Sequence, residues 1–116
     1  MQSGVSGSTS TVMKNLFTDI PEDLPDELLE SLVNTDSVHI QRIVSKGHAT
    51  PEQGWYDQQA NEFVILLKGA ARLEYEDGQV VELNPGDWLQ IPAHTKHRVA
   101  WTGKTMETVW LAVHYS

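Results

Sequence analysis

The chain has 116 residues, no cysteine and a formal net charge of −8. Its length predicts a single domain, and the lack of cysteine excludes disulfide bonds and thiolate metal sites. The acidic balance argues against nucleic acid as a partner, because phosphate binding needs a basic surface. No apolar run approaches the ~20 residues that cross a bilayer, and the N-terminus lacks a signal-peptide pattern. We therefore expect a cytoplasmic protein that does not insert into membranes.

The first 37 residues differ in composition from the rest. Residues 1–12 are mostly Ser, Gly and Thr, and we expect a disordered tail there. Residues 13–37 form an acidic segment, in which seven acidic residues and no Lys or Arg lie between positions 15 and 36. Its apolar residues recur at helical spacing, and Pro25 suits a first helical turn. We predict a short helix over residues 23–34 that packs on the outside of the domain or assists a homodimer.

From residue 38 onward the hydrophobic period changes to two, which is typical of half-buried strands. The continuous apolar run at residues 63–67 predicts a strand that is buried on both faces. Asp77 and Gly78 lie between two alternating runs, a pattern that favours a tight hairpin turn. Further short strand-like runs follow towards the C-terminus. Residues 38–116 are therefore expected to form an all-β, antiparallel barrel or jelly roll.

Two spaced motifs carry the most specific signal in the chain. Glu62 is followed, after six residues, by Gly69. Gly86 is followed after five residues by Pro92, and His97 lies five positions further on. The second pattern resembles the second sequence motif of the cupin family, and the first resembles the back half of its first motif. The chain is therefore similar to a small single-domain cupin of the RmlC-like type, which implies an antiparallel double-stranded β-helix.

In cupins, three histidines and one glutamate converge on a divalent metal inside the barrel. Carried onto this chain, Glu62 takes the glutamate position and His97 takes the position of the second motif's histidine. The two histidines that precede the glutamate in the family are replaced. Depending on the spacer, their positions fall on one of two pairs: Tyr56 and Gln58, or Trp55 and Asp57.

These departures leave three alternatives for the metal. In the first, a reduced ligand set binds Mn, Fe, Ni or Zn: Asp57 or Gln58, with Glu62 and His97. An oxygen-rich set with one histidine favours Mn²⁺ or Fe²⁺ over tightly held Zn²⁺. In the second, His94 or His114 replaces a missing ligand. In the third, no metal binds and the cavity is simply polar.

The resemblance implies an enzyme that acts on a small polar molecule, such as an isomerase, an epimerase or a dioxygenase. In that case the metal acts as a Lewis acid. We predict Glu62 and Tyr56 as catalytic residues. The predicted substrate contacts are Tyr56, Gln58, Trp101 and His114. The alternative is a cupin that has lost its metal and binds a small ligand without catalysis, which the missing histidine pair favours.

Overall fold

Eight strands follow one another along the chain, and the computed structural model describes residues 12–51 and 54–116. The strands are β1 (Leu28–Asn34), β2 (Val38–Ser45), β3 (Asn61–Lys68), β4 (Ala71–Tyr75), β5 (Val80–Leu83), β6 (Trp88–Ile91), β7 (His97–Thr102) and β8 (Thr108–Tyr115). They form a five-stranded sheet in the order β1-β2-β8-β3-β6 and a three-stranded sheet in the order β5-β4-β7. Every pairing is antiparallel, so the predicted all-β jelly roll is confirmed. Residues 1–11, which contain nearly all of the predicted tail, lie outside the described residues.

The core lies between the two sheets and follows from strand alternation. Val64 and Leu66 on β3 and Leu73 on β4 are almost fully buried and pack in one cluster. Trp110 on β8 lies opposite Leu66 and joins this cluster. The apolar run at residues 63–67 is fully buried only on this inner face, and its alternate residues are half-buried. The prediction of two buried faces was too strong because the second face of the sheet is the outer surface of the domain.

The predicted helix over residues 23–34 is wrong. Residues 28–34 form β1, an edge strand that pairs with β2, and the described residues contain no helix, so none could cross a membrane. A short apolar run fits both the helical and the strand period, and here pairing with a neighbouring strand decides. In β1, Leu29 lies opposite Ile43 and extends the inner face of the sheet. A homodimer stays a prediction.

The acidic segment is fastened to the outer face of the five-stranded sheet by one arginine. Arg42 has a side chain only 5% exposed, and its guanidinium donates hydrogen bonds to the carbonyl oxygens of Leu16, Thr18 and Asp19. The same guanidinium pairs with Glu30 at 2.7 Å. A buried charge must be paired and hydrogen-bonded, and the segment supplies these partners. Residues 15–30 are therefore part of the folded domain.

Two glycines have the same backbone conformation for different reasons. Gly78 has φ of +95° in the β4–β5 hairpin, as the Asp77-Gly78 pattern predicts, and a Cβ built there meets nothing within 4 Å. Gly69 has φ of +92°, but a Cβ built there lies 2.7 Å from the Cα of Thr108. Gly69 thus permits both the turn after β3 and the close approach of β8, which carries part of the site described below.

We expect Gly78→Ala to lower the free energy of unfolding by roughly 1–2 kcal/mol, the cost of a left-handed alanine. Gly69→Ala should have the same backbone cost and, in addition, an overpacking cost of roughly 1–3 kcal/mol. The new Cβ would clash with the Cα of Thr108, a backbone atom of a fully buried residue, which a side-chain rotation cannot relieve. Urea unfolding of both variants tests this, with Gly78→Ala as the matched control. Equal destabilisation of the two variants would contradict the close approach of β8 to Gly69.

Candidate functional site

The strand ladders bring three ionisable side chains to one point between the sheets. Glu62 on β3 and His114 on β8 are directly opposite each other, so both side chains lie on the inner face of the five-stranded sheet. His97 begins β7 in the other sheet. Its backbone forms a two-way bridge with Tyr56, with N···O distances of 2.7 and 3.2 Å. The bridge places residues 56–58 beside His97 at the same end of the core.

These residues form the polar end of a cavity of about 130 Å³. The polar side chains that line this end are Tyr56, Gln58, Glu62, His97 and His114. The remaining wall is mostly apolar and includes Ile43, Leu73, Val99 and Trp110. An apolar pocket with a few converging polar groups is the usual form of a small-molecule site.

Glu62 is the most perturbed group in this cavity. The residue is only 8% exposed, and its two carboxylate oxygens face different imidazoles. Oε1 lies 3.3 Å from Nε2 of His97, and Oε2 lies 3.6 Å from Nε2 of His114. Burial raises the pKa of Glu62, but its contacts with His114 and His97 lower it more, to about 2. Glu62 is therefore a permanent carboxylate at neutral pH.

His97 is held so that its Nε2 faces this carboxylate. Its Nδ1–H donates to the carbonyl oxygen of Thr95 at 2.8 Å, which leaves Nε2 as the atom that gains or loses a proton. Burial lowers the pKa of His97, but the contact with Glu62 and the bond to Thr95 raise it more, to above the usual 6.5. The rings of Tyr56 and Tyr75 lie 5.7 and 6.4 Å from the imidazole, centroid to centroid.

His114 and Tyr75 complete the surroundings of the carboxylate. The amide nitrogen of Gln58 lies 3.3 Å from Nε2 of His114. Burial and the negative charge of Glu62 raise the pKa of Tyr75, so its phenol stays protonated. The cavity thus combines one fixed negative charge with two imidazoles in different hydrogen-bonding states.

Two buried polar atoms of the cavity lining lack a hydrogen-bond partner among the described residues. Glu62 Oε1 is one, because His97 Nε2 is near it without hydrogen-bond alignment. The indole N–H of Trp110 is the other. Buried polar groups are nearly always paired, so such atoms are expected to meet a ligand or water.

Five of the predicted site residues come together in the cavity, and two do not. The five are Tyr56, Gln58, Glu62, His97 and His114. Asp57, a predicted metal ligand, is absent from the lining, and its carboxylate contacts Nδ1 of His94 at 3.1 Å instead. His94, the other proposed replacement ligand, is thus engaged at the surface with a side chain 65% exposed.

Trp101, a predicted substrate contact, lies on the outer face of the three-stranded sheet. Simple alternation from His97 through Val99 would bring Trp101 inward, but the β4–β7 ladder has a register irregularity between these residues. Val99 stays inside, while Trp101 pairs with Arg72 and lies under its guanidinium at 4.9 Å. The structure therefore corrects this substrate contact. A bulge of this kind has no signal in the sequence.

The sequence analysis also missed two residues that shape the site. Tyr75 shares the inner face of β4 with Ala71 and Leu73, so strand alternation would have found it. Thr95 acts only through its carbonyl oxygen, and nothing in its side chain marks that role.

The side chains present do not fit the metal centre that the family pattern implies. Among residues 12–51 and 54–116, no group of three or more His, Asp or Glu side chains is arranged to hold a metal ion. Both imidazoles turn their Nε2 atoms towards oxygens of the same carboxylate, so the two nitrogens are engaged with Glu62. Of the two pairs that could take the positions of the family's histidines, Tyr56 and Gln58 line the cavity, and their phenol and amide are weaker metal donors than imidazole.

The fold and this cavity define a class of small jelly-roll proteins with a carboxylate and histidines inside the barrel. Residues 42–114 match the family model described as "Cupin domain". The chain belongs to the cupin family. A search of curated proteins gives no match.

Solved structures of cupins agree with this assignment. One, from Ralstonia eutropha JMP134, is described as "a putative mannose-6-phosphate isomerase". It has 43% sequence identity and a TM-score of 0.87 over 91% of this chain and 99% of that one. A cupin superfamily protein of Desulfitobacterium hafniense DCB-2 has 23% identity and a TM-score of 0.69, with 83% of each chain covered. An RmlC-like cupin of Methanocaldococcus jannaschii with a double-stranded β-helix fold has 22% identity and a TM-score of 0.67, with 84% of this chain and 86% of that one covered.

The two pKa shifts predict a stability maximum between them. Because the pKa of Glu62 falls from 4.5 to about 2 on folding, its stabilisation is present above pH 4.5 and is lost as the pH falls towards 2. Because the pKa of His97 rises above 6.5, its stabilisation is present below pH 6.5 and is lost as the pH rises through the folded value. The lowered carboxylate pKa corresponds to on the order of 3 kcal/mol.

We therefore expect the free energy of unfolding of wild type minus that of Glu62→Gln to be largest at about pH 4.5–6.5 and to decline on both sides. Urea unfolding from pH 3 to pH 9 measures it. Glu82→Gln is the matched control, because Glu82 is exposed and pairs with Arg72 on the surface. A pH-independent difference for Glu62→Gln would show that the carboxylate and imidazole are not coupled.

Proposed function

We propose that this cupin moves a proton on a small polar molecule bound in its cavity, as an isomerase or an epimerase does. The observation that carries the proposal is the buried Glu62 carboxylate between two imidazoles at 3.3 and 3.6 Å, at the polar end of a cavity whose remaining wall is mostly apolar. Isomerisation and epimerisation need one group that takes a proton from carbon and one that supplies a proton. Two imidazoles in different hydrogen-bonding states meet this requirement.

His97 is suited to be the proton donor. Its raised pKa keeps a share of the ring protonated near neutral pH, and its Nε2 faces the cavity side of Glu62. A general acid or base works best when its pKa lies near the working pH. The bond to Thr95 fixes the ring orientation while the proton leaves Nε2.

His114 is suited to be the proton acceptor. The amide nitrogen of Gln58 lies 3.3 Å from its Nε2, and in the tautomer that accepts a hydrogen bond from this amide Nε2 carries a lone pair. A substrate C–H that replaces the Gln58 amide would meet the same lone pair. Glu62, with a pKa of about 2, is a weak base, so its role is to stabilise the positive charge that appears on either imidazole. Tyr56 lies at the cavity mouth, 43% exposed, where it contacts a substrate.

The cupin that is 43% identical supports this class of reaction, since an isomerase of a sugar phosphate moves a proton between neighbouring carbons. The description of that protein supports the kind of reaction proposed here, and the substrate is argued separately below. The second candidate is a cupin that binds a small ligand without catalysis. It is favoured by Tyr56 and Gln58 in place of the family's histidine pair.

Deuterium exchange tests the proposal without knowledge of the product. The protein is incubated in D₂O with hexoses, hydroxyketones and hexose phosphates, mannose 6-phosphate among them, and NMR follows loss of the C–H signal next to the carbonyl. We expect exchange with at least one substrate. His97→Asn and His114→Asn should each lower its rate by roughly 10²–10⁴-fold, the usual contribution of one acid or base.

His48→Asn is the matched control, because His48 lies outside the cavity lining and bonds to the carbonyl of Pro25. It should leave the exchange rate unchanged. A substrate panel that binds but exchanges no C–H would favour the non-catalytic candidate. Exchange that survives in both His97→Asn and His114→Asn would place the chemistry elsewhere.

The proposal assigns the chemistry to side chains and needs no metal, in line with the donor set. We expect wild type, loaded with Mn²⁺, Fe²⁺, Ni²⁺ or Zn²⁺ and then desalted, to retain no stoichiometric metal when analysed by mass spectrometry. His97→Asn should give the same metal content. About one equivalent in wild type, lost in His97→Asn, would contradict this and support a site built on Glu62 and His97.

A further inference from the structure

The two unpartnered atoms of the cavity specify what a ligand must offer. Glu62 Oε1 is a buried carboxylate oxygen, so it can only accept a hydrogen bond. The Trp110 indole N–H, on a residue 3% exposed, can only donate. Both residues line the same cavity. A ligand that contacts both atoms must therefore offer a donor to Glu62 and an acceptor to Trp110.

These two atoms belong to separate parts of the cavity. Glu62 lies opposite His114, and Trp110 is four residues away from His114 on the same strand. At 3.3 Å per residue, the Cα atoms of Trp110 and His114 are about 13 Å apart along the strand. The indole N–H is closer to Glu62 than this, because the Trp110 side chain spans part of that distance. The required donor and acceptor therefore lie at different points of one molecule.

The charge around the cavity is the second observation. Its lining includes the carboxylates of Glu27 and Glu62 and, among the described residues, no Lys or Arg. The nearest arginine in sequence, Arg98, pairs with Glu74 at 2.7 Å and lies over the ring of Trp55. Phosphate groups in proteins are held by arginine, lysine or backbone N–H clusters. Within the described part of the chain no Lys or Arg lines the cavity, and both imidazoles that could carry a positive charge already face the Glu62 carboxylate.

We propose that the ligand is an uncharged molecule with a hydroxyl that donates to Glu62 and a hydroxyl or carbonyl that accepts from Trp110, and that phosphorylated molecules are rejected. This inference rests on the proposed function and names its substrate class. A hydroxyl supplies the donor that Glu62 lacks. A phosphate dianion is acceptor-only and would set its charge against a carboxylate that stays ionised. The apolar wall then contacts the carbon skeleton of the ligand.

Matched pairs of probes test the rule on the wild-type protein. Isothermal titration compares glycerol with glycerol 3-phosphate, D-glucose with D-glucose 6-phosphate, and dihydroxyacetone with its phosphate. We expect the uncharged member of at least one pair to bind, and its phosphate ester to bind more weakly by roughly tenfold or more, because like charges brought together disfavour the wrong partner. A phosphate ester that binds as tightly as its uncharged partner overturns the inference and leaves the proposed proton transfer intact. If no uncharged probe binds at millimolar concentrations, the inference is also overturned, and deuterium exchange then decides the proposed function separately.

A conservative variant tests the donor at Trp110. Trp110→Phe removes the N–H and keeps an aromatic ring, so it should weaken binding of the uncharged ligand by roughly three- to tenfold, as expected for one neutral hydrogen bond. Trp88→Phe is the control, because Trp88 is 58% exposed on the outer face of its sheet. Thermal unfolding of each variant confirms that it is folded. Equal affinities for Trp110→Phe and Trp88→Phe would remove the indole from the ligand contacts.

Discussion

Glu62 keeps a negative charge where only 8% of the residue is exposed, and an unpaired carboxylate at such a position would cost several kcal/mol. Two imidazoles make this burial tolerable. His114 reaches the carboxylate from the same sheet, and His97 reaches it from the opposite one. The pairing therefore joins the two layers of the jelly roll at their polar end. The same pairing favours the protonated form of His97, because the contact with the Glu62 carboxylate raises the pKa of this imidazole.

The rest of the fold holds these groups in register. β3 and β8 place Glu62 opposite His114 by direct pairing, and Gly69 lets the chain turn out of β3 close to the start of β8. The backbone bridge between Tyr56 and His97 holds Tyr56 beside the start of β7. The outer face is organised separately, around the buried guanidinium of Arg42. Ionic contacts thus organise both faces of the same sheet.

The pair Glu62 and His97 was predicted from the resemblance of two spaced motifs to those of cupins, and local patterns in the sequence were enough to predict the barrel. They were not enough for β1, where a short apolar run fits two periods and only the neighbouring strand decides. They failed for Trp101 because one extra residue in the β4–β7 ladder makes every later side chain of β7 point to the opposite face of the sheet. The unpartnered Trp110 N–H could not be predicted from the sequence, because it depends on the absence of a hydrogen-bond acceptor among all the described residues that pack around the indole.

The substitutions at the family's histidine positions alter the chemistry of the cavity more than its shape. Imidazoles at positions 56 and 58 would turn lone pairs towards a cation, whereas Tyr56 and Gln58 carry donor groups, and the Gln58 amide is already used on His114. The negative charge of Glu62 is then balanced by protons on imidazole, and a proton, unlike a metal ion, can be passed to a substrate. Glu62 Oε1 has no aligned hydrogen-bond donor among the described residues, although Nε2 of His97 lies 3.3 Å away. A cavity in this state discriminates by hydrogen-bond polarity: a hydroxyl satisfies the free oxygen, and an anionic group in its place leaves two acceptors facing each other in a buried site, where the repulsion is screened least.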